Sequence, residues 1–135
     1  MIDMSLSHCI RAFLCFGLLV IGQSSQAHHA PYIYDTENER VVTGKVTAFD
    51  WVQPHTWVTL SVANANDASE TLLLEGMNPL FLGRRGWTRY SLQPGDVIEV
   101  AFFPRRDGSP EGMFLHAIFP DGSRKVMAVN PANSD

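Results

Sequence analysis

The chain has 135 residues, with ten Lys and Arg against fourteen Asp and Glu, a formal net charge of −4 and two cysteines. An acidic balance makes a poor general nucleic-acid binder, because neutralising phosphates needs an excess of cation. The length suits one small domain with a single modest core.

In chain order, the first 27 residues read as a secretory signal. Arg11 is the positive end, residues 12–22 (AFLCFGLLVIG) are the apolar core, and Ser25-Gln26-Ala27 fits the small-x-small cleavage rule. As a helix that core spans about 16 Å at ~1.5 Å per residue, too short for a bilayer interior of about 30 Å. Cys15 follows Ala12-Phe13-Leu14 rather than small residues, so a lipoprotein signal is rejected. Cys9 and Cys15 both fall in the removed part, which excludes disulfides, thiol catalysis and thiolate metal sites from the mature chain. Residues 28–135 are the expected mature domain, placed in the periplasm or secreted, with no membrane attachment after cleavage and no nucleic acid among its partners.

Strands dominate the mature domain. A short edge strand fits residues 31–36. Residues 41–51 alternate through Val42, Gly44, Val46 and Ala48. The phase then slips, so that Phe49 and Trp51 become the large apolar positions. A slip downstream of a glycine predicts a bulge that bends a long strand. Gln53-Pro54 turns the chain into residues 55–63, where Val58, Leu60 and Val62 share one face and His55, Trp57, Thr59 and Ser61 the other. Residues 64–68 form a loop, and 70–75 a third strand. Asn78 caps a short helix with Pro79 in its first position, Arg84 and Arg85 in its last turn and Gly86 closing it. Pro94-Gly95-Asp96 leads to a strand over 97–103. Arg105 to Gly108 read as a solvated hairpin turn, followed by a strand over 113–119 and an Asp121-Gly122 hairpin into 124–129. Three strands, one helix, then two or three strands is the order of an all-β OB-fold-like barrel with its helix between strands 3 and 4. An immunoglobulin-like sandwich has no helix slot and typically needs about seven strands.

Four motifs stand out: the pair His28-His29, the turn Trp51-x-x-Pro54-His55, the run Arg84-Arg85-Gly86-Trp87-Thr88-Arg89, and Leu92-x-Pro94-Gly95-Asp96. Together they resemble a family of small exported bacterial proteins of unknown function. The resemblance spans nearly all of the mature chain. It implies an exported location and carries no reaction.

The motifs support two functional readings, both for a binding protein rather than an enzyme. No Ser-His-Asp order, HExxH, paired carboxylates or phosphate loop stands out. In the first, cleavage leaves His28 with a free α-amino group, which chelates a metal together with a ring nitrogen. His55 is the candidate third ligand, His29 can replace His28, and His116 is a weaker alternative. Three nitrogens in tetragonal geometry favour copper(II) over zinc. An oxidative copper enzyme would also need an open coordination position and a substrate surface. The competing structural account is a frayed polar start, with His55 fixing a turn.

In the second reading, Arg84, Arg85 and Arg89 form a cationic, aromatic surface with Trp87 for an anionic group, a sugar or a periplasmic protein. Trp51 and Trp57 offer a stacking platform on the barrel. The competing account buries Trp87 under the barrel and pairs the arginines with Asp96, Glu75 or Glu99.

Overall fold

A computed structural model describes residues 33–64, 66 and 68–128; the expected signal segment, His28 and His29 lie outside them. The strands are β1 (Arg40–Asp50), β2 (Trp57–Ala63), β3 (Ser69–Glu75), β4 (Val97–Pro104), β5 (Glu111–Ile118) and β6 (Arg124–Val126). One helix, α1 (Pro79–Gly83), lies between β3 and β4. The strands form one sheet in the order β3-β2-β1-β4-β5-β6, and a parallel pairing of β3 with β5 closes the first five into a barrel. This is the OB-type topology expected from the order of elements. A two-sheet sandwich is excluded by the closure. Among the described residues no helix is long and apolar enough to cross a membrane.

Alternation puts Val58 and Leu60 of β2, Leu72 and Leu74 of β3, and Ile98, Val100 and Phe102 of β4 inside. β1 serves both sides of the barrel, pairing with β4 over residues 40–45 and with β2 over 45–50. The strand can turn between them for two local reasons. The register shifts between Val46 and Ala48, so Thr47 is the extra residue of a bulge, as the phase slip predicts. At Gly44 a Cβ would lie 3.1 Å from Val62 Cγ2 and 3.2 Å from Leu60 Cβ, so a side chain there would hold β2 away. Gly112 makes a tighter approach. A Cβ there would run into the Phe102 ring and sit 2.7 Å from the Phe103 carbonyl oxygen.

α1 begins as expected. The Asn78 side chain accepts a hydrogen bond from the Phe81 N–H at 2.8 Å, and Pro79 follows in the first turn. Its end differs from expectation. The helix stops at Gly83 with Arg84 as its C-cap, so Arg84 and Arg85 lie beyond the last turn and the dipole argument for them lapses. The chain turns there because Trp87 must enter the core, and Gly86 supplies the φ of +80° that this turn needs. Leu82, Trp87 and Leu92 then close the barrel end as members of the main core.

A second, smaller core lies outside the barrel wall. Ala101 and Phe103 of β4 and Leu115 of β5 pack there beneath Tyr34 and Ala128. The edge strand expected at 31–36 is, in its described part, a single antiparallel bridge between Tyr34 and Arg105. Backbone bonds from Asp35 N to Pro104 O (2.8 Å) and from Arg106 N to Ile33 O (2.9 Å) fasten it. The Arg106 Nε adds a bond to the Tyr34 carbonyl at 3.1 Å. Residues 106–108 form the exposed turn expected between β4 and β5, and Arg105 and Arg106 in addition moor the amino-terminal arm.

Candidate functional site

The β1–β2 loop holds His55 next to a residue that sequence reasoning did not single out. Thr56 is fully buried, and its N–H and hydroxyl both donate to the Met77 carbonyl, at 3.2 and 3.0 Å. The Gly76 N–H returns a bond to the Thr56 carbonyl at 2.8 Å. These three bonds staple the loop to the chain just after β3. β2 consequently starts at Trp57 rather than at residue 55, and His55 sits against Glu75.

One Glu75 carboxylate serves two partners. Oε1 meets Nδ1 of His55, and Oε2 accepts from the Tyr34 hydroxyl. Glu75 is 19% exposed and His55 48% exposed. Burial first, and the Glu75 hydrogen bond second, push the Tyr34 phenol well above its usual range, so it stays a proton donor. With Nδ1 held by the carboxylate, Nε2 is the nitrogen of His55 left without a hydrogen-bond partner among the described residues. A carboxylate on one ring nitrogen and a free second nitrogen is how metal-ligating histidines are commonly oriented. Among the described residues, no three His, Cys, Asp or Glu side chains group to hold an ion.

His116 does not join His55. It lies on β5, and its Nδ1 is 3.1 Å from Arg124 Nη2. Arginine only donates, so Nδ1 accepts and the ring is the neutral Nε2–H tautomer. Burial, then the Arg124 charge, lower its pKa below 6.5. A base whose folded pKa is depressed leaves stability intact above the unfolded value of 6.5 and loses it as pH falls from there through the lower folded pKa. His116→Gln is therefore expected to lose less stability than the parent chain between about pH 7 and pH 5, as read from denaturant midpoints at both pH values. An identical loss in both proteins would rule this coupling out.

The tryptophans separate. Trp87 is 2% exposed, donates its indole N–H to the Val126 carbonyl at 2.8 Å and meets Phe49 and Phe114 edge-on. It belongs to the core, which corrects the expectation that it contributes to a ligand-binding surface. Trp57 is half-buried and lies across from Asp50 on one side and Glu75 on the other. Trp51 packs edge-on against Phe49 at 5.6 Å and lines an open groove of about 480 Å³ that Arg89 also lines.

The arginines do not pair as the structural account expected. Asp96 accepts the Gln93 N–H, and Glu75 is taken by His55 and Tyr34. Arg85 lies over the Phe81 ring at 4.3 Å, and none of Arg84, Arg85 and Arg89 has a carboxylate partner among the described residues. Arg84 and Arg85 stand at the end of α1, apart from the groove residues.

The molecule is thus a small closed OB-type barrel carrying a His–Glu–Tyr cluster at one loop and an aromatic groove at another. Residues 17–115 match the model of a family of unknown function (DUF6152), and the chain belongs to that family. The match agrees with the uncharacterised family that the motifs resemble. No curated protein and no solved structure matches the chain.

Proposed function

We propose that the protein is an exported metal-binding module that takes one copper(II) ion at His55. The observation carrying this reading is the shared carboxylate of Glu75, which orients His55 through Nδ1 and ties down Tyr34 in the arm. Residues 28–32 precede the described arm, and five residues extend to about 17 Å at most. That reach suits a return of His28 to an imidazole that shares a carboxylate with Tyr34. The α-amino and imidazole nitrogens of His28, with Nε2 of His55, supply the three nitrogens that favour copper(II); His29 is the alternative donor. Export rests on the order of charge, apolar run and small-residue site in residues 1–27.

Copper titration of the chain beginning at His28 tests the reading. One ion per chain is expected, with affinity falling about 10–100-fold in Glu75→Gln, which weakens the orientation of His55. His55→Ala and a chain with one extra residue before His28 are expected to lose more, since each removes a donor atom. Undiminished uptake by His55→Ala would end the proposal. Undiminished uptake by the extended chain would remove the amine from it. Mass spectrometry of exported material tests the leading residue independently.

A further inference from the structure

The groove between the end of β1 and the loop after α1 meets conditions for a ligand that are independent of the metal reading. The loop is pinned at both ends by core residues, Trp87 (2% exposed) and Leu92 (1% exposed). Between these anchors it is bound to itself. The Thr88 N–H donates to Ser91 Oγ at 2.9 Å, the Ser91 N–H to the Thr88 carbonyl at 3.0 Å, and the Tyr90 N–H to Thr88 Oγ1 at 3.2 Å. Tyr90 is nevertheless 75% exposed, so a rigid support presents an uncovered ring. Trp51 stands in the other wall, fixed by its edge contact with Phe49.

Apart from Thr47, whose hydroxyl donates to the Thr59 carbonyl at 3.2 Å, the polar side chains of the groove are unused. The Trp51 indole N–H, the Tyr90 hydroxyl and the side chains of Asp50, Arg89 and Gln93 have no hydrogen bond or ion pair within the described protein. Asp50 only accepts, Arg89 only donates, and Gln93 does both. Planar groups of this kind match pairs of neighbouring hydroxyls, while two aromatic rings match the C–H faces of a sugar ring. The charges decide between ligand classes. One carboxylate and one guanidinium cancel, which suits a neutral ligand over an anion or a cation. The volume of about 480 Å³ falls within the range of about 300–1,000 Å³ usual for ligand sites.

We propose that this groove binds a neutral saccharide, with Trp51 and Tyr90 stacking on sugar rings and Asp50, Arg89 and Gln93 bonding the hydroxyls.

The test uses the chain from residue 28 with a chelator present, so that its outcome does not depend on copper. Tryptophan fluorescence and calorimetry would follow titration with neutral glucose and N-acetylglucosamine oligomers, and with a polyuronate as the anionic comparison. At least one neutral oligomer is expected to bind, with Tyr90→Ala and Arg89→Ala each weakening it about 10-fold or more. Both side chains are exposed, so the unfolding midpoints of the variants should stay near that of the parent. No binding of any neutral oligomer at about 10 mM would overturn the assignment. So would neutral-oligomer binding that survives both substitutions, or binding confined to the polyuronate.

Discussion

Alanine in place of Trp87 is expected to cost about 3–5 kcal/mol of folding stability, the range for emptying a large aromatic site in a core. Trp87 closes the helix end of the barrel, 6.2 Å from the Phe49 ring and 6.3 Å from Phe114 between centroids. Its removal leaves a cavity among side chains fixed by three strands and the loop. It also strands the Val126 carbonyl, which accepts the indole N–H at 2.8 Å. Against a total of about 5–15 kcal/mol, the loss would bring the domain near its unfolding limit. Trp87→Phe keeps a ring in the site but forfeits the hydrogen bond and part of the volume, so a smaller loss of about 1–3 kcal/mol is expected. Urea unfolding at constant slope would measure both. A loss below about 1 kcal/mol for the alanine variant would contradict a core role for this residue.

Tyr34→Ala is the second large effect, again about 3–5 kcal/mol by analogy with other buried aromatic truncations. Tyr34 is 5% exposed and covers the outer core of Ala101, Phe103 and Leu115. The Tyr34→Phe variant separates the ring from its hydroxyl. Hydrogen bonds to charged groups contribute about 1.5–3 kcal/mol, and partial solvation of Glu75 places the expected loss at the low end of that range. If the phenylalanine variant unfolded as easily as the alanine variant, the outer core would be energetically minor. The arm would then be held by the Glu75 bond alone.

The barrel was legible because alternation survives wherever one face is buried. Val58, Leu60 and Val62 announce β2, and the change of phase from Val46 to Phe49 announces the bulge at Thr47. Asn78 and Pro79 mark the helix start through local chemistry alone. The helix end was misplaced because it depends on a distant demand, the burial of Trp87. Beyond His55, the candidate site was hidden for the same reason. Glu75 reads as the last residue of a strand, and only the register of Trp57 against Glu75 brings the preceding loop to it. That register could have been inferred by aligning the apolar positions of β2 and β3. Arg105 and Arg106 were read as turn residues only, because the arm they also hold lies some seventy residues away in sequence. The groove was half visible. Trp51 and Arg89 were singled out, whereas Asp50, Tyr90 and Gln93 carry no signal until the loop is folded against β1.

The β3–β5 seam bears on how the molecule assembles. It joins Leu73 to Glu111, Leu74 to Gly112 and Glu75 to Met113, pairs that lie far apart along the chain. Loop closure over such a span must precede any reward from the contacts, so high contact order predicts folding on the slower, millisecond-to-second scale. Until β5 arrives, β3 and β4 each keep an unpaired edge, and the incomplete barrel is the species most prone to self-association. A nascent chain ending before residue 111 has no means of shielding either edge.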